Sequence, residues 1–327
     1  MFRDKSVLIS GGTGSFGKRF IKHILDTDNP RKVVVFSRNE FNQCTMAHEM
    51  RGYANDVRFI LGSVTDYERI HRALKGIDYV VHAAALKVVP KAEYNPIEVM
   101  SVNYEGTRNV INACIERGVK RAVFLATDKA VMPVNLYGVS KAAAEKVWME
   151  ANHLEPIFSA VRYGNIMGSR GAVITKFLEI KERGGKDYEI THPEATRFWV
   201  DFHEAIKLVL QSFEDKPGVV LCSKTKSFKV RDLIKAIYLR AELKVTGLRE
   251  GEKVHETIVN EYEASRANEM DDHYRIFPPH SYDDTILYDK EHGVPMQKGV
   301  TSGDFLSLMT FDEVREKVAK YVEKLNE

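Results

Sequence analysis

Tyr137 and Lys141 stand four positions apart, with Thr127-Asp128-Lys129 a short distance upstream. On a helix, residues at i and i+4 share a face, so the Lys141 ammonium is expected beside the Tyr137 phenol. A cation there lowers the phenol's pKa and lets it shuttle a proton near neutral pH. The spacing alone suits a solvated helix face equally well, so its meaning depends on the elements around it.

The first of these lies at the amino terminus. Ser6 to Ser10 predicts a short buried strand through Val7, Leu8 and Ile9, followed by Gly11-Gly12-Thr13-Gly14-Ser15-Phe16-Gly17 and a helical run from Lys18 through Leu25. Strand, glycine turn and helix together make a dinucleotide-binding arrangement. Gly11 permits the tight turn, Gly14 admits a pyrophosphate, and Gly17 lets helix and strand pack closely while the helix N-terminus meets the anion. A second strand, Val33 to Phe36, ends in Ser37-Arg38-Asn39-Glu40. An NAD site usually has a carboxylate there for the ribose hydroxyls, whereas Ser37 and Arg38 offer a hydroxyl and a guanidinium suited to a 2′-phosphate. NADP is therefore expected, the alternative being an Arg38 that faces water beside Glu40.

Further apolar runs at Val57-Leu61, Tyr79-Ala84, Ala122-Ala126 and Phe158-Val161 alternate with helical patterns near Asp66-Leu74, Pro96-Arg117 and Leu136-His153. This alternation predicts an α/β fold, a Rossmann-type doubly wound parallel sheet whose strand carboxyl ends share one ligand-binding edge. The expected division is a cofactor domain over 1–165, joined by about 192–222, and a smaller, interleaved substrate-binding lobe over most of 166–327. Glu204-Phe213 and Val219-Leu221 read as a helix and strand returning to the cofactor domain.

The 327 residues carry a net charge of +2, with acidic and basic side chains mixed throughout, which gives no footprint for a nucleic-acid partner. Cys44, Cys114 and Cys222 lack metal-ligand or redox spacing and read as reduced thiols. His192, His203, His255, His273 and His280 are dispersed, so no metal is expected. Neither a signal peptide nor a membrane-length apolar run is evident, and the expected location is the cytoplasm.

Several segments together resemble the extended short-chain dehydrogenases that act on nucleotide sugars: the glycine turn, His82-Ala83-Ala84-Ala85-Leu86-Lys87, Ala126-Thr127-Asp128-Lys129-Ala130, Asn135 to Lys141, and Arg162-Tyr163-Gly164-Asn165. More narrowly, they are similar to the inverting UDP-N-acetylglucosamine 4,6-dehydratases that open pseudaminic acid synthesis. Gly168 to Val173, Thr196-Arg197-Phe198-Trp199 and Gly247 to Lys253 extend the likeness to about Glu256. Beyond that it thins, and the tail Gly299 to Leu306 is shorter than the family pattern. The resemblance implies cofactor contacts from Gly11, Thr13, Gly14, Ser15, Phe16, Gly17, Ser37, Arg38, Ser63, Val64, Ala83, Ala85, Lys87, Tyr137 and Lys141. It implies substrate contacts from Lys87, Asn165, Val173, Thr191, Arg197 and Arg249, and a homo-oligomer, dimer or hexamer. Val110, Ile111, Val139 and Val147 are the expected apolar self-association positions.

The chemistry so implied is dehydration of a UDP-sugar. Water leaves C5 and C6 of a hexose readily only after C4 becomes a ketone, which makes the C5 proton acidic. By resemblance, Tyr137 takes the C4 hydroxyl proton with Thr127 bonded to the same oxygen, Lys129 takes the C5 proton, and Asp128 protonates the departing C6 hydroxyl. Lys141 positions the ribose. Retaining sugar dehydratases place Asp-Glu after the threonine, so Lys129 points to inversion at C5. Lys129 must be neutral to act as a base, and crowding beside Lys141 and the oxidised nicotinamide is the expected means. His82 is expected to pack rather than titrate, and Asn103 to bridge backbone. A 4-epimerase, a retaining dehydratase and a non-catalytic NADP-binding protein remain the competing readings.

Overall fold

Valine, isoleucine and phenylalanine runs that are buried on both faces set the frame, as a parallel sheet covered on both sides requires. The structure, a computed structural model, describes residues 1–153, 155–279 and 293–326. His280 lies outside them. The strands β1 (Ser6–Ser10), β2 (Lys32–Ser37), β3 (Val57–Leu61), β4 (Tyr79–His82), β5 (Arg121–Leu125) and β6 (Ile157–Arg162) pair in parallel in the order β3-β2-β1-β4-β5-β6. Side chains alternate between two cores. Leu8, Val34, Val80 and Phe124 enter one, while Val7, Val33, Val81 and Val123 enter the other. The order reverses between β1 and β4, where a crevice opens at the strand carboxyl ends.

The intervening helices are α1 (Ser15–Thr27), α2 (Glu40–Glu49), α3 (Tyr67–Ala73), α4 (Val89–Tyr94), α5 (Pro96–Met100), α6 (Gly106–Arg117) and α7 (Leu136–Glu150). One π-helical turn, Ser101–Glu105, joins α5 to α6. On it, Asn103 accepts from the Leu86 backbone N–H at 2.8 Å and donates to the Leu86 carbonyl at 2.9 Å and to Ser140 Oγ at 2.9 Å. That one side chain ties the segment after β4 to α7, two parts of the crevice wall.

The second half of the chain supplies β7 (Asn165–Ile166), α8 (Val173–Glu182), β8 (Asp187–Ile190), β9 (Thr196–Val200), α9 (Phe202–Glu214), β10 (Val220–Ser223), β11 (Ser227–Lys229), α10 (Val230–Ile237) and β12 (Glu242–Val245). After these come β13 (Thr257–Val259), α11 (Glu261–Ala264), β14 (Ala267–Glu269), β15 (His273–Ile276), β16 (Val294–Pro295), β17 (Val300–Thr301) and α12 (Phe311–Asn326). Helices α8, α10 and α12 enclose a third core around Phe177, Tyr188, Leu233 and Val314.

Two expectations need correction. β10 runs parallel to β6, but β15, β14 and β16 then extend the same sheet antiparallel, giving ten strands among the described residues. Residues 267–276 thus build the large sheet and not the substrate lobe; of the four residues their two strands bury, Asn268 and His273 are polar and only Ala267 and Ile276 are apolar, so the run reads as polar. Val110 is fully buried and Ile111 nearly so beneath α6, leaving neither for self-association. Val147 packs against the same core, and only Val139 of the four is exposed.

Candidate active site

The glycine turn is built for close approach. Gly11 has φ +68°, and a Cβ there would lie 2.8 Å from the Ala84 backbone, while a Cβ on Gly17 would lie 2.4 Å from the Gly12 carbonyl oxygen. No side chain caps the start of α1 at Gly14, so its first-turn N–H groups are free of a local acceptor side chain. Thr13 is buried in the turn, and Ser15 Oγ accepts from the Arg170 backbone N–H at 3.0 Å. Phe16 stacks on Phe20 and Tyr163, which roots the helix start in the core.

At the end of β2, Gln43 Nε2 donates to Ser37 Oγ at 3.0 Å, and exposed Arg38 meets Glu98 at 3.5 Å. That weak surface pairing leaves Arg38 able to turn to an anion. Val64 is buried against Gly106, Ser63 Oγ bonds Thr65 Oγ1 at 2.7 Å, and Ala83 continues the β4 ladder by donating to Ser10 O at 3.1 Å. Ala85 lies between Ala83 and Lys87 on the crevice wall. A cradle that any Cβ would fill, an uncapped helix start and a serine-arginine pair at the neighbouring strand end fit a dinucleotide phosphate.

Below the turn, His82 is wholly buried, with Nδ1 2.6 Å from Ser10 Oγ and Nε2 3.0 Å from Thr107 Oγ1. Burial, with the Lys141 charge nearby, holds its pKa down at about 3, so it stays neutral and structural.

The polar cluster forms where β5 ends. Thr127 caps a short 3-10 turn, Asp128–Ala130, and donates to Asp128 Oδ1 at 3.0 Å. Helix α7 packs against that turn because position 138 is glycine: a Cβ would stand 2.2 Å from the Lys129 carbonyl oxygen. Asn135 caps α7 by accepting from the Gly138 N–H at 2.8 Å, and it donates to the Gly251 carbonyl at 2.8 Å. The same contacts bring the Tyr137 phenol beside Thr127 and Lys129.

The electrostatics overturn two expectations. Burial pushes Tyr137 up to about 12, opposed chiefly by the Lys129 charge. Lys141 instead places Nζ 3.7 Å from the centroid of Phe124, and burial, opposed by Glu145, brings it down to about 7. Lys129 is not driven neutral either. Burial alone favours the amine, but Nζ lies 3.1 Å from Asp128 Oδ1, 3.0 Å from Asn165 Oδ1 and 3.2 Å from Glu256 Oε1, and the two carboxylates hold its pKa well above the ordinary lysine value. Asp128 is pushed up by burial and by Glu256, against the pull of Lys129.

Of the expected substrate contacts, Asn165 meets Lys129, and Thr191 Oγ1 donates to Glu252 Oε1 at 2.9 Å. Arg197 is buried, donating to Thr196 O at 2.7 Å, to Val254 O at 3.2 Å and to Glu252 Oε1 at 3.0 Å. Exposed Arg249 lines the same cavity as Lys129, Arg197, Lys253 and Glu256. Lys87 lies close enough to Lys129 and Arg170 for their charges, after burial, to lower its pKa. Val173 starts α8 against the third core and lies off this cavity. Glu256 and Lys253 were not singled out from the sequence, since each is one charge in an aperiodic stretch and only the fold brings them to Lys129.

Residues 7–278 match the polysaccharide biosynthesis protein family. The UDP-N-acetylglucosamine 4,6-dehydratase (inverting) of Campylobacter jejuni is 41% identical over 85% of this chain and 84% of its own length. The UDP-glucose 4-epimerase of Rickettsia canadensis is 37% identical over 84% of each chain. Among solved structures, Pen from Bacillus thuringiensis superposes with a TM-score of 0.89 at 32% identity, covering 98% of this chain and 99% of that one. DesIV, a dTDP-glucose 4,6-dehydratase from Streptomyces venezuelae solved with NAD bound, shares the fold with a TM-score of 0.69 at 20% identity, over 76% and 86% of the two chains.

Proposed function

The chain belongs to the polysaccharide biosynthesis protein family, and on that premise we propose that it is an inverting 4,6-dehydratase of UDP-N-acetylglucosamine that uses NADP. The observation that carries this reading is the Thr127-Asp128-Lys129 turn, Thr127 and Asp128 buried and Lys129 half-buried, packed against the helix that carries Tyr137. An epimerase, the activity named for the Rickettsia relative, works at C4 alone and needs no acid-base pair for C5 and C6. Here Asp128 and Lys129, paired at 3.1 Å, supply one acid-base group for each position once a proton passes between them.

Bound at the glycine turn, the nicotinamide supplies the reversible oxidation that makes C4 a ketone and later reduces C6. Tyr137 Oη takes the C4 hydroxyl proton, and Thr127 Oγ1 fixes the same sugar oxygen. Lys129 is a cation that favours the Tyr137 phenolate. Asp128, its pKa raised by burial and by Glu256, holds Lys129 Nζ on Oδ1 and has an Oδ2 without a partner; with the sugar bound it takes the Lys129 proton and gives it to the departing C6 hydroxyl. Left neutral by that transfer, Lys129 Nζ takes the C5 proton, and C5 receives a solvent-derived proton on the opposite face. Arg197 and Arg249, at the cavity wall, pair with diphosphate oxygens. Incubation with UDP-N-acetylglucosamine should yield a product lighter by one water with a methyl group at C6 by proton NMR. A product of unchanged mass with C4 inverted would return the chain to the epimerase reading.

The choice of NADP rests on Arg38 and Ser37. Arg38→Ala should weaken NADP binding by about tenfold or more while changing NAD binding little, because a charge-assisted bond to phosphate contributes roughly 1.5–3 kcal/mol. Calorimetry with both cofactors checks this, and equal losses would contradict it.

A further inference from the structure

Lys129 enters its proposed role paired to a carboxylate that no motif singles out. Glu256 lies just before β13, is 3% exposed, and brings Oε1 to 3.2 Å from Lys129 Nζ and 3.8 Å from Arg197 Nε. Its other oxygen, Oε2, is buried without a hydrogen-bond partner, as is Asp128 Oδ2 on the far side of the same ammonium. Two orphaned carboxylate oxygens around one cation are costly unless the site uses them. The position of Glu256 is itself built in. Its backbone N–H donates to Ser302 Oγ at 2.8 Å, and Ser302, fully buried, bonds Thr196 Oγ1 at 2.7 Å. The tail that departs from the family pattern therefore docks beneath the site and fixes the carboxylate opposite Lys129.

We propose that Glu256 is a positioning residue that sets the protonation of Lys129, and with it the pH at which the C5 base becomes available. The proposal rests on the dehydratase reading for its C5 consequence and on geometry alone for its effect on Lys129. Other charged groups face Lys129 as well: Asp128 from its own turn, Tyr137 from α7, Arg197 from β9, Lys253 from the cavity wall, and Lys87 from the segment after β4. Of these only Asp128 shares with Glu256 the sign that holds the ammonium charged. An opposite charge within about 4–6 Å favours the charged form by roughly 1–3 pKa units.

The test is a titration of the full chain with ¹⁵N-labelled lysine, the Lys129 signal being assigned from its loss in Lys129→Met. Wild-type Lys129 should remain an ammonium up to about pH 10.5, the ordinary lysine value. In Glu256→Gln its midpoint should fall by about 1–3 pH units. The ascending limb of C5 deuterium incorporation, measured in D2O with UDP-N-acetylglucosamine, should move in the same direction. A Glu256 that merely braces the fold would change melting without moving either, and an unmoved midpoint overturns the proposal. Should Glu256→Gln not fold, Glu256→Asp, whose shorter arm lengthens the contact, should give a smaller shift of the same sign. A midpoint that moves in a chain inert toward the sugar nucleotide would refute the dehydratase reading and uphold the assignment to Glu256. Full turnover with an unmoved midpoint would do the reverse.

Discussion

Lys129→Met should bind NADP normally and lose dehydration by a factor of about 10²–10⁴, the usual cost of removing a positioned acid-base group. The substitution also leaves Asp128 and Glu256 buried with their shared cation gone. Removing one partner of a buried ion pair costs roughly 3–5 kcal/mol, so some fall in melting temperature at neutral pH is expected. Two observations separate the effects. The added Asp128→Asn change should restore stability to Lys129→Met without restoring turnover, and calorimetric NADP binding should persist in both variants. Near-normal dehydration by Lys129→Met would remove Lys129 from the chemistry.

The largest effect on stability belongs to Arg162. Its guanidinium, 4% exposed, donates to Glu145 Oε2 at 2.8 Å and to Glu263 at 2.7 and 2.9 Å, tying β6 to α7 and to α11. Arg162→Met would strand two buried carboxylates and should cost about 3–5 kcal/mol at pH 7. The pH dependence has a definite sign. Despite its burial, Glu263 is held below the ordinary glutamate value by Arg162, so its contribution is present above the unfolded pKa of about 4.3 and is lost as pH falls through the folded value. In Arg162→Met, Glu263 loses the cation that holds its pKa down and favours protonation, so the variant's deficit should shrink as pH falls from 7 toward 5. Denaturant unfolding at the two pH values checks this; a deficit that is constant or grows toward acid would contradict it.

Much of the frame can be read directly from local pattern. The strands from β1 to β6 are short apolar runs between turn residues, and the glycines at 11 and 17 mark a turn whose backbone contacts exclude any side chain. Asn103 was expected to bridge backbone, and it does so from a π-helical turn that no spacing announces. β14 and β15 escaped notice because each buries only a residue or two wholly, too few for an alternation to show. Tyr137 and Lys141 share a helix, yet i and i+4 placement does not decide where a lysine's long arm ends, and Phe124 claims it. Charge states were the least legible feature. Lys129 is held by a carboxylate from a remote segment that is itself anchored by the tail, so its protonation is a property of the assembled fold.

Inversion is the central claim, and one measurement addresses it most directly: proton NMR of the product formed from UDP-N-acetylglucosamine in D2O. The product should carry a C6 methyl, deuterium at C5, and a C5 configuration opposite to that of the substrate, the L-arabino 4-keto sugar. A product that has lost the same water but kept its original C5 configuration would contradict the account and make Lys129 something other than the base of an inverting dehydratase.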